Sequence, residues 1–267
     1  MRLYILLLLA TADFPAVVPP PSVTAIIQQS VAANQRDWRA ATDYDYLESD
    51  RDSKGTRTYQ VSTILGSPYR RLIAIGGKAL APWRQAEEQR KLHAAIAQRR
   101  NESPAKREAR IAVYRKERRQ ERVLLSQLTQ AFDFRLLNRG NLDGRDVYVL
   151  QATPKRGYQP PNRDSKVLTG MQGKLWIDAT TFQWMKVRAE VIQPVWIAGF
   201  IARVEPGTQF ELEYKPVTSE IWLPAHYAMQ SRATILFLFN RRNREEEFYY
   251  GYRKSDSSGS PAPGRPA

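Results

Sequence analysis

Beyond residue 42 the chain alternates apolar and polar side chains with a period of two, and turn residues break the alternation every few positions. Asp43-Tyr44-Asp45-Tyr46-Leu47-Glu48 opens the series with aromatic rings on one side. Residues 56–65 follow, with Tyr59, Val61, Thr63 and Leu65 on one face, and then residues 69–75. Further runs are expected at 132–136, 147–152, 173–177, 183–195, 196–204, 210–214, 221–229, 235–239 and 247–252. Between them stand Gly66-Ser67-Pro68, Gly76-Gly77, Asp143-Gly144, the proline-rich stretch 153–164 and Glu205-Pro206-Gly207, all turn or loop signals. About a dozen short strands with no βαβ rhythm predict an antiparallel sheet. A sheet of that many strands must curl strongly, close or split.

Two segments carry the helical period instead. Residues 23–37 place Ile26, Ile27, Ser30, Val31 and Asn34 on one stripe, with Ser22 or Thr24 as the cap. Residues 82–130 are rich in Ala, Arg, Glu, Gln and Lys, and Ser103-Pro104 divides them into two helices. In the second, Ile111, Tyr114, Leu125, Leu128 and Phe132 fall near one face, but Arg118 and Glu121 or Arg122 interrupt it. Its middle is expected in solvent and its end on the core. The fold class is therefore α+β: a large curved antiparallel sheet, helices on its concave side, and a long basic helical insert.

At 267 residues the chain can bury one sizeable core. Met1-Arg2, the apolar run at 3–10 and the small-residue site Ala10-Thr11-Ala12 have the layout of a signal peptide at 1–12. A leader at 13–22, one domain at 23–254 and a disordered Ser/Gly/Pro-rich tail at 255–267 complete the expected organisation. Export to the periplasm or beyond follows from that reading. The chain has no cysteine, which removes disulfides, thiolate chemistry and cysteine metal sites.

The formal net charge is +14, and thirteen basic against six acidic residues lie between Arg84 and Arg122. Lys106, Arg107, Arg110, Arg115, Lys116, Arg118, Arg119 and Arg122 form a basic helix suited to an anionic membrane surface or an envelope protein. Interspersed Glu108, Glu117 and Glu121 equally suit a lattice of intrahelical ion pairs. Nucleic acid is not expected as the target of an exported chain. His93 and His226 belong to no metal motif and read as structural or surface residues. Asp50, Asp52 and Gly55 fail as a calcium loop, because Lys54 and Val61 stand where oxygen ligands are needed. Gly76-Gly77-Lys78 lacks phosphate-loop spacing. No catalytic signature or cofactor motif is present, and a non-enzymatic protein is expected.

Large apolar side chains crowd the later strands. Trp176, Trp184, Trp196, Phe200, Phe210, Trp222 and Phe237 are expected to line or border an apolar concavity able to take an acyl chain. A packed core explains the same residues.

The run from Leu168-Thr169-Gly170-Met171 through Trp176-Ile177-Asp178 resembles bacterial outer-membrane lipoprotein-sorting (LolA-like) proteins. So do Phe182-Gln183-Trp184-Met185, the Gly199–Thr208 run and Ile221-Trp222-Leu223-Pro224. The likeness spans roughly residues 40 to 254 and includes Gly66-Ser67-Pro68-Tyr69. It implies an unclosed β-barrel with helices on its concave side, and binding of a lipid or a lipid-modified protein without catalysis. The charged stretch 82–130 departs from the compact carriers of that family, which leaves carrier, envelope sensor and interaction module as readings.

Overall fold

The computed structural model describes residues 21–196, 202–235 and 239–255. The expected signal segment at 1–12, the leader up to residue 20, the tail from residue 256, Phe200 and Phe237 lie outside them. Helix α1 (Val23–Ala40) begins where Ser22 accepts a hydrogen bond from the Ala25 N–H. Four strands follow: β1 (Tyr44–Asp52), β2 (Gly55–Ile64), β3 (Ser67–Ile75) and β4 (Lys78–Ala79). Next come α2 (Pro82–Arg100) and α3 (Pro104–Ala131), each opened by proline. The remaining strands are β5 (Phe132–Leu142), β6 (Arg145–Pro154), β7 (Met171–Asp178), β8 (Trp184–Val191), β9 (Val195–Trp196), β10 (Ala202–Val204), β11 (Gln209–Pro216), β12 (Trp222–Ile235) and β13 (Phe239–Lys254).

All belong to one antiparallel sheet ordered β4-β3-β2-β1-β13-β12-β11-β8-β7-β6-β5, with β10 attached to β12 and β9 to β10. The path ends on β4 and β5, so the sheet is unclosed among the described residues. The N-terminal and C-terminal strands β1 and β13 pair in its middle. The expected hairpin turns at Gly76-Gly77 and Asp143-Gly144 form, with φ of 61°, 75°, 50° and 79°.

The expected strand at 183–195 ends at Val191, Val195 opens the separate β9, and two long strands depart further from expectation. Strands β12 and β13 run for 14 and 16 residues, where the sequence marks only short pieces at 221–229, 235–239 and 247–252. Charge hides them: the residues from Asn243 to Glu246 fall between the marked pieces but belong to a strand. Glu246 is paired across the sheet with Arg51 at 3.2 Å and His226 at 3.1 Å.

Cross-strand partners point to the same side, so register traces each face through the whole sheet. One face runs through Leu150, Leu175, Val187, Leu212, Tyr227 and Glu247 to Asp50. At its β5–β8 end it receives α1: Ile26 and Ile27 pack with Leu150, Leu175, Ile177, Trp184 and Val191 in the main core. The other face runs through Val149, Trp176, Lys186, Glu213, His226, Phe248 and Ser49 to Thr58. Helix α2 lies on that second face, where its Gln89 meets Arg71 of β3. The helices therefore flank both faces of the sheet and are not gathered on one concave side. Helix α1 buries a continuous stripe, Ile26, Ile27, Ser30, Ala33, Asn34 and Asp37, against its sheet face, whereas α2 buries Leu92 alone among the described residues.

A buried polar clasp holds α1. Asp37, 3% exposed, accepts from the Trp222 N–H at 3.1 Å and from Gln183 Nε2 at 3.3 Å. Ser30 on the same helix accepts from Trp184 Nε1 at 3.2 Å. Burial pushes the Asp37 carboxyl up to about 6, against the lowering effect of those hydrogen bonds. Farther along this face Glu48 sits between its strand partners Tyr59 and Tyr249. Arg70 binds both Glu48 and Asp50 at 2.6 Å and lies 4.2 Å over the Tyr59 ring. Burial, with Asp50 and Glu247 nearby, still pushes Glu48 up to about 7. Gly251 adopts φ 64°, and this irregularity beside Leu47 puts Tyr249 and Tyr252 on one face, both against Tyr46.

Both carboxyls have folded-state values above their ordinary ones, so the folded protein holds protons that the unfolded chain releases. Their contribution to stability is full below pH 4 and is lost as pH rises through about 6 for Asp37 and about 7 for Glu48. Asp37→Asn keeps the oxygen that accepts from Trp222 and has no charge to bury. Its melting temperature relative to the parent is expected to rise between pH 4 and pH 8, and Glu48→Gln should behave alike, as thermal unfolding across that range will show. Asp37→Ala leaves the Trp222 N–H buried without its acceptor and should cost about 1–3 kcal/mol at pH 5 in denaturant unfolding.

Candidate ligand cleft

The site begins with how loosely α2 is held. Among the described residues, Leu92 is its one buried side chain. The helix's remaining anchors are polar. Arg99 donates to the carbonyls of Ile64 and Ser67 at 2.8 Å and of Pro68 at 3.1 Å, at the β2–β3 turn. From α3, Arg110 reaches the same turn, donating to Ser67 Oγ at 2.6 Å and to the Leu65 carbonyl at 3.1 Å while paired with Glu102 at 2.8 Å. Gly66 in that turn has φ 90°, and a Cβ there would meet Ile111 at 3.0 Å, so glycine is needed twice over.

Between α2 and the sheet lies a cleft of about 840 Å³, within the size range of small-molecule sites. Its floor is a cross-strand row, Tyr250 opposite Leu47, Leu47 opposite Gln60 and Gln60 opposite Arg71. Ser49 and Thr58 form the next row, and Ile73 and Ala74 of β3 and Ala79 of β4 extend the apolar part. Tyr250 is 45% exposed, unusual for a large ring on a strand. Gln85 and Glu88 of α2 form one wall, while Arg51, Arg253 and Lys254 stand at the opposite rim.

Arg71 is the chemical centre of this cleft. Its two terminal nitrogens are bound by neutral amide oxygens, Gln89 Oε1 at 2.6 Å and Gln60 Oε1 at 2.5 Å. Its Nε is buried without a hydrogen-bond partner. Burial depresses the affinity of the guanidinium for its proton. The nearby carboxylates are engaged elsewhere: Asp45 accepts from the Thr63 N–H at 3.1 Å and Ser255 Oγ at 2.7 Å, and Glu88 pairs with Lys91 at 2.8 Å. A half-buried cation whose hydrogen bonds go only to neutral amides, with the Glu88 carboxylate acting on it from α2 while paired to Lys91, can still take an anion.

The expected aromatic residues fall elsewhere. Trp184, 5% exposed, and Phe210 belong to the core under α1. Trp222, 2% exposed, packs on the opposite face with Val147, Val149, Met185 and Trp176. Trp196 on β9 is half-buried with Arg203 5.3 Å over its ring. Trp184 and Phe210 are thus on one face and Trp176 and Trp222 on the other, so the described rings do not all line one hollow. Arg71, Gln60 and Gln89 were not singled out from sequence, because an arginine and two glutamines on separate elements carry no spacing signal.

The basic helix is divided as well. Lys106, Arg107, Arg115, Lys116 and Arg119 are exposed. Arg110 is tied to Glu102, and Arg118 lies 3.9 Å over the Trp38 ring and donates to the Trp38 carbonyl. The side chain of Arg122 lies outside the described residues. Arg118, one of the residues expected to keep the middle of α3 in solvent, is therefore what docks it to α1. His93 meets Gln89 at 2.8 Å on α2, and His226 stacks on Phe248. Glu211, Glu213 and His226 could converge on a cation, but the Lys186 ammonium already lies 2.6 Å from both carboxylates.

No family model and no curated protein matches this chain. Among solved structures it is similar to a LolA superfamily protein from Nitrosomonas europaea, at 12% identity over 88% of this chain and 94% of that one, with a TM-score of 0.33. It is similar in the same degree to a DUF1329 family protein from Desulfovibrio piger, again at 12% identity, 88% and 94% coverage and a TM-score of 0.33. Neither value establishes membership of a family.

Proposed function

We propose that the chain is an exported, non-enzymatic binding protein of the cell envelope that receives the acyl chain of a lipid or of a lipid-modified protein between α2 and the β13-β1-β2-β3 floor. The observation that carries this reading is the cleft itself: about 840 Å³, floored by Leu47 and Tyr250, under a helix held by one buried apolar side chain. A chain entering it gains roughly 0.8 kcal/mol per buried CH₂ group, enough for binding without any bond-making chemistry. Export rests on the sequence of residues 1–12, and no helix among the described residues is long and apolar enough to cross a membrane. The LolA-like strand patterns of the sequence agree with a carrier.

The exposed side of α3 favours a second role. Lys106, Arg107, Arg115, Lys116 and Arg119 present cations to solvent, suited to an anionic membrane surface or an acidic envelope protein. That contact would bring the cleft to its ligand's source.

Native mass spectrometry of protein extracted gently from its own envelope is expected to show a bound acyl species. Leu47→Glu puts a carboxylate on the cleft floor and should reduce the bound fraction at least tenfold while the main core under α1 stays folded. A parent protein free of acyl species, and unable to take up one when offered, overturns the reading. Leu92→Asp should release α2 alone, raising amide hydrogen exchange across residues 82–100 and leaving β5–β8 protected, because that helix has no other buried apolar anchor.

A further inference from the structure

The unsatisfied cation in the cleft specifies more than an acyl chain. We propose that the ligand is a single-chain anionic amphiphile, and that Arg71 is the residue that selects its carboxylate or phosphate head. The proposal rests on the acyl-binding reading and adds the chemistry of the head.

Three features converge on it. The Arg71 guanidinium is half-buried yet held only by the neutral Gln60 and Gln89 amides, so its charge is oriented but not neutralised. Its Nε carries a proton with no acceptor and is covered, a position that an entering anion would uncover as it displaces the groups around it. The neighbouring acids are occupied by Thr63, Ser255 and Lys91, so they neither fill that position nor repel an incoming anion at full strength. An anionic oxygen at Nε would complete a charge-assisted hydrogen bond, which is roughly twice as strong as a neutral one. The two amides do a second service. They fix the plane of the guanidinium, so little side-chain freedom is lost on binding. A neutral lipid head would leave the Nε–H buried and unpaired, at the desolvation cost of an unmade bond. The row from Arg71 through Gln60 and Leu47 to Tyr250 then grades from cation to apolar surface, matching a head followed by a chain. One chain suits the breadth of this row better than two, since polar Ser49 and Thr58 border it.

Calorimetric titration with dodecyl phosphate, dodecanoate and dodecanol, each below its micelle concentration, tests the proposal. Both anions are expected to bind the parent protein at least tenfold tighter than dodecanol. Arg71→Gln should abolish that preference. Equal binding of all three ligands to the parent, or an undiminished preference in Arg71→Gln, overturns the role of Arg71 while leaving the acyl cleft standing. Failure of all three to bind overturns the acyl reading itself, a distinct result. A measurement on the parent protein guards against a misfolded variant. The Arg71 Nε–H resonance, identified by its disappearance in Arg71→Lys, should shift with dodecyl phosphate and stay in place with dodecanol. An unmoved resonance at saturating anion overturns the proposal whatever the variants do.

Discussion

Continuous antiparallel pairing across eleven strands is the constraint from which everything else in this molecule follows. Side-chain direction alternates strictly along a strand, and partners across a ladder share a face. A residue near one edge therefore has its face set relative to a residue near the other, many strands away. Through that relation the leucines under α1 and the carboxylates around Arg70 share a side, while Trp176, Lys186 and the cleft floor share the other. The irregularities at Gly251 and at Glu213/Tyr214 adjust the local aim of side chains without exchanging the two faces.

The basic excess of this chain is partly spent inside the fold. Arg99 and Arg110 bind carbonyls of the β2–β3 turn, and Arg118 stacks on Trp38. Five donors on a planar group let one arginine satisfy several backbone oxygens that no helix or ladder reaches. Lysine could not replace these contacts in kind. The cations left for a partner are those on the outer side of α3 together with the rim of the cleft, which is a smaller surface than the net charge alone implies.

How far the fold was legible depends on the range of the interaction. Helix α1 was readable, with its Ser22 cap and its Ile26 and Ile27 stripe, because cap and stripe are local. The clasp at Asp37 was not, since its partners lie 146 and 185 residues away. The alternation of β1, β2, β6 and β7 was readable for the same local reason. Strand β13 was largely hidden, because its polar side faces charged cross-strand partners and resembles a loop in composition. The side of the sheet taken by each helix was illegible: it depends on register, and a one-residue slip would exchange the faces. Trp184 and Trp222 were legible as large and buried, but sequence could not tell that they lie on opposite sides. Arg71 was invisible as a site, because what singles it out is the identity of the two groups that happen to face it.

The contrast between the two covered ends of the sheet explains why a cleft exists at all. Under α1 the sheet offers Leu150, Leu175 and Ile177, and the helix answers with Ile26, Ile27 and Ala33, so apolar side chains meet and bury one another. Under α2 the sheet offers Ser49, Thr58, Gln60 and Arg71. Drawing the helix down onto those groups would bury polar atoms that α2, with Gln85, Glu88 and Gln89 on its inner side, can satisfy only in part. The stable compromise anchors the helix through Leu92 in its middle and Arg99 at its end, while Gln89 meets the floor through Arg71 alone. The space so left is neither dry enough to collapse nor polar enough to be indifferent to an acyl chain, and the Arg71 charge, bound only by neutral amides, lies where a head group would complete it.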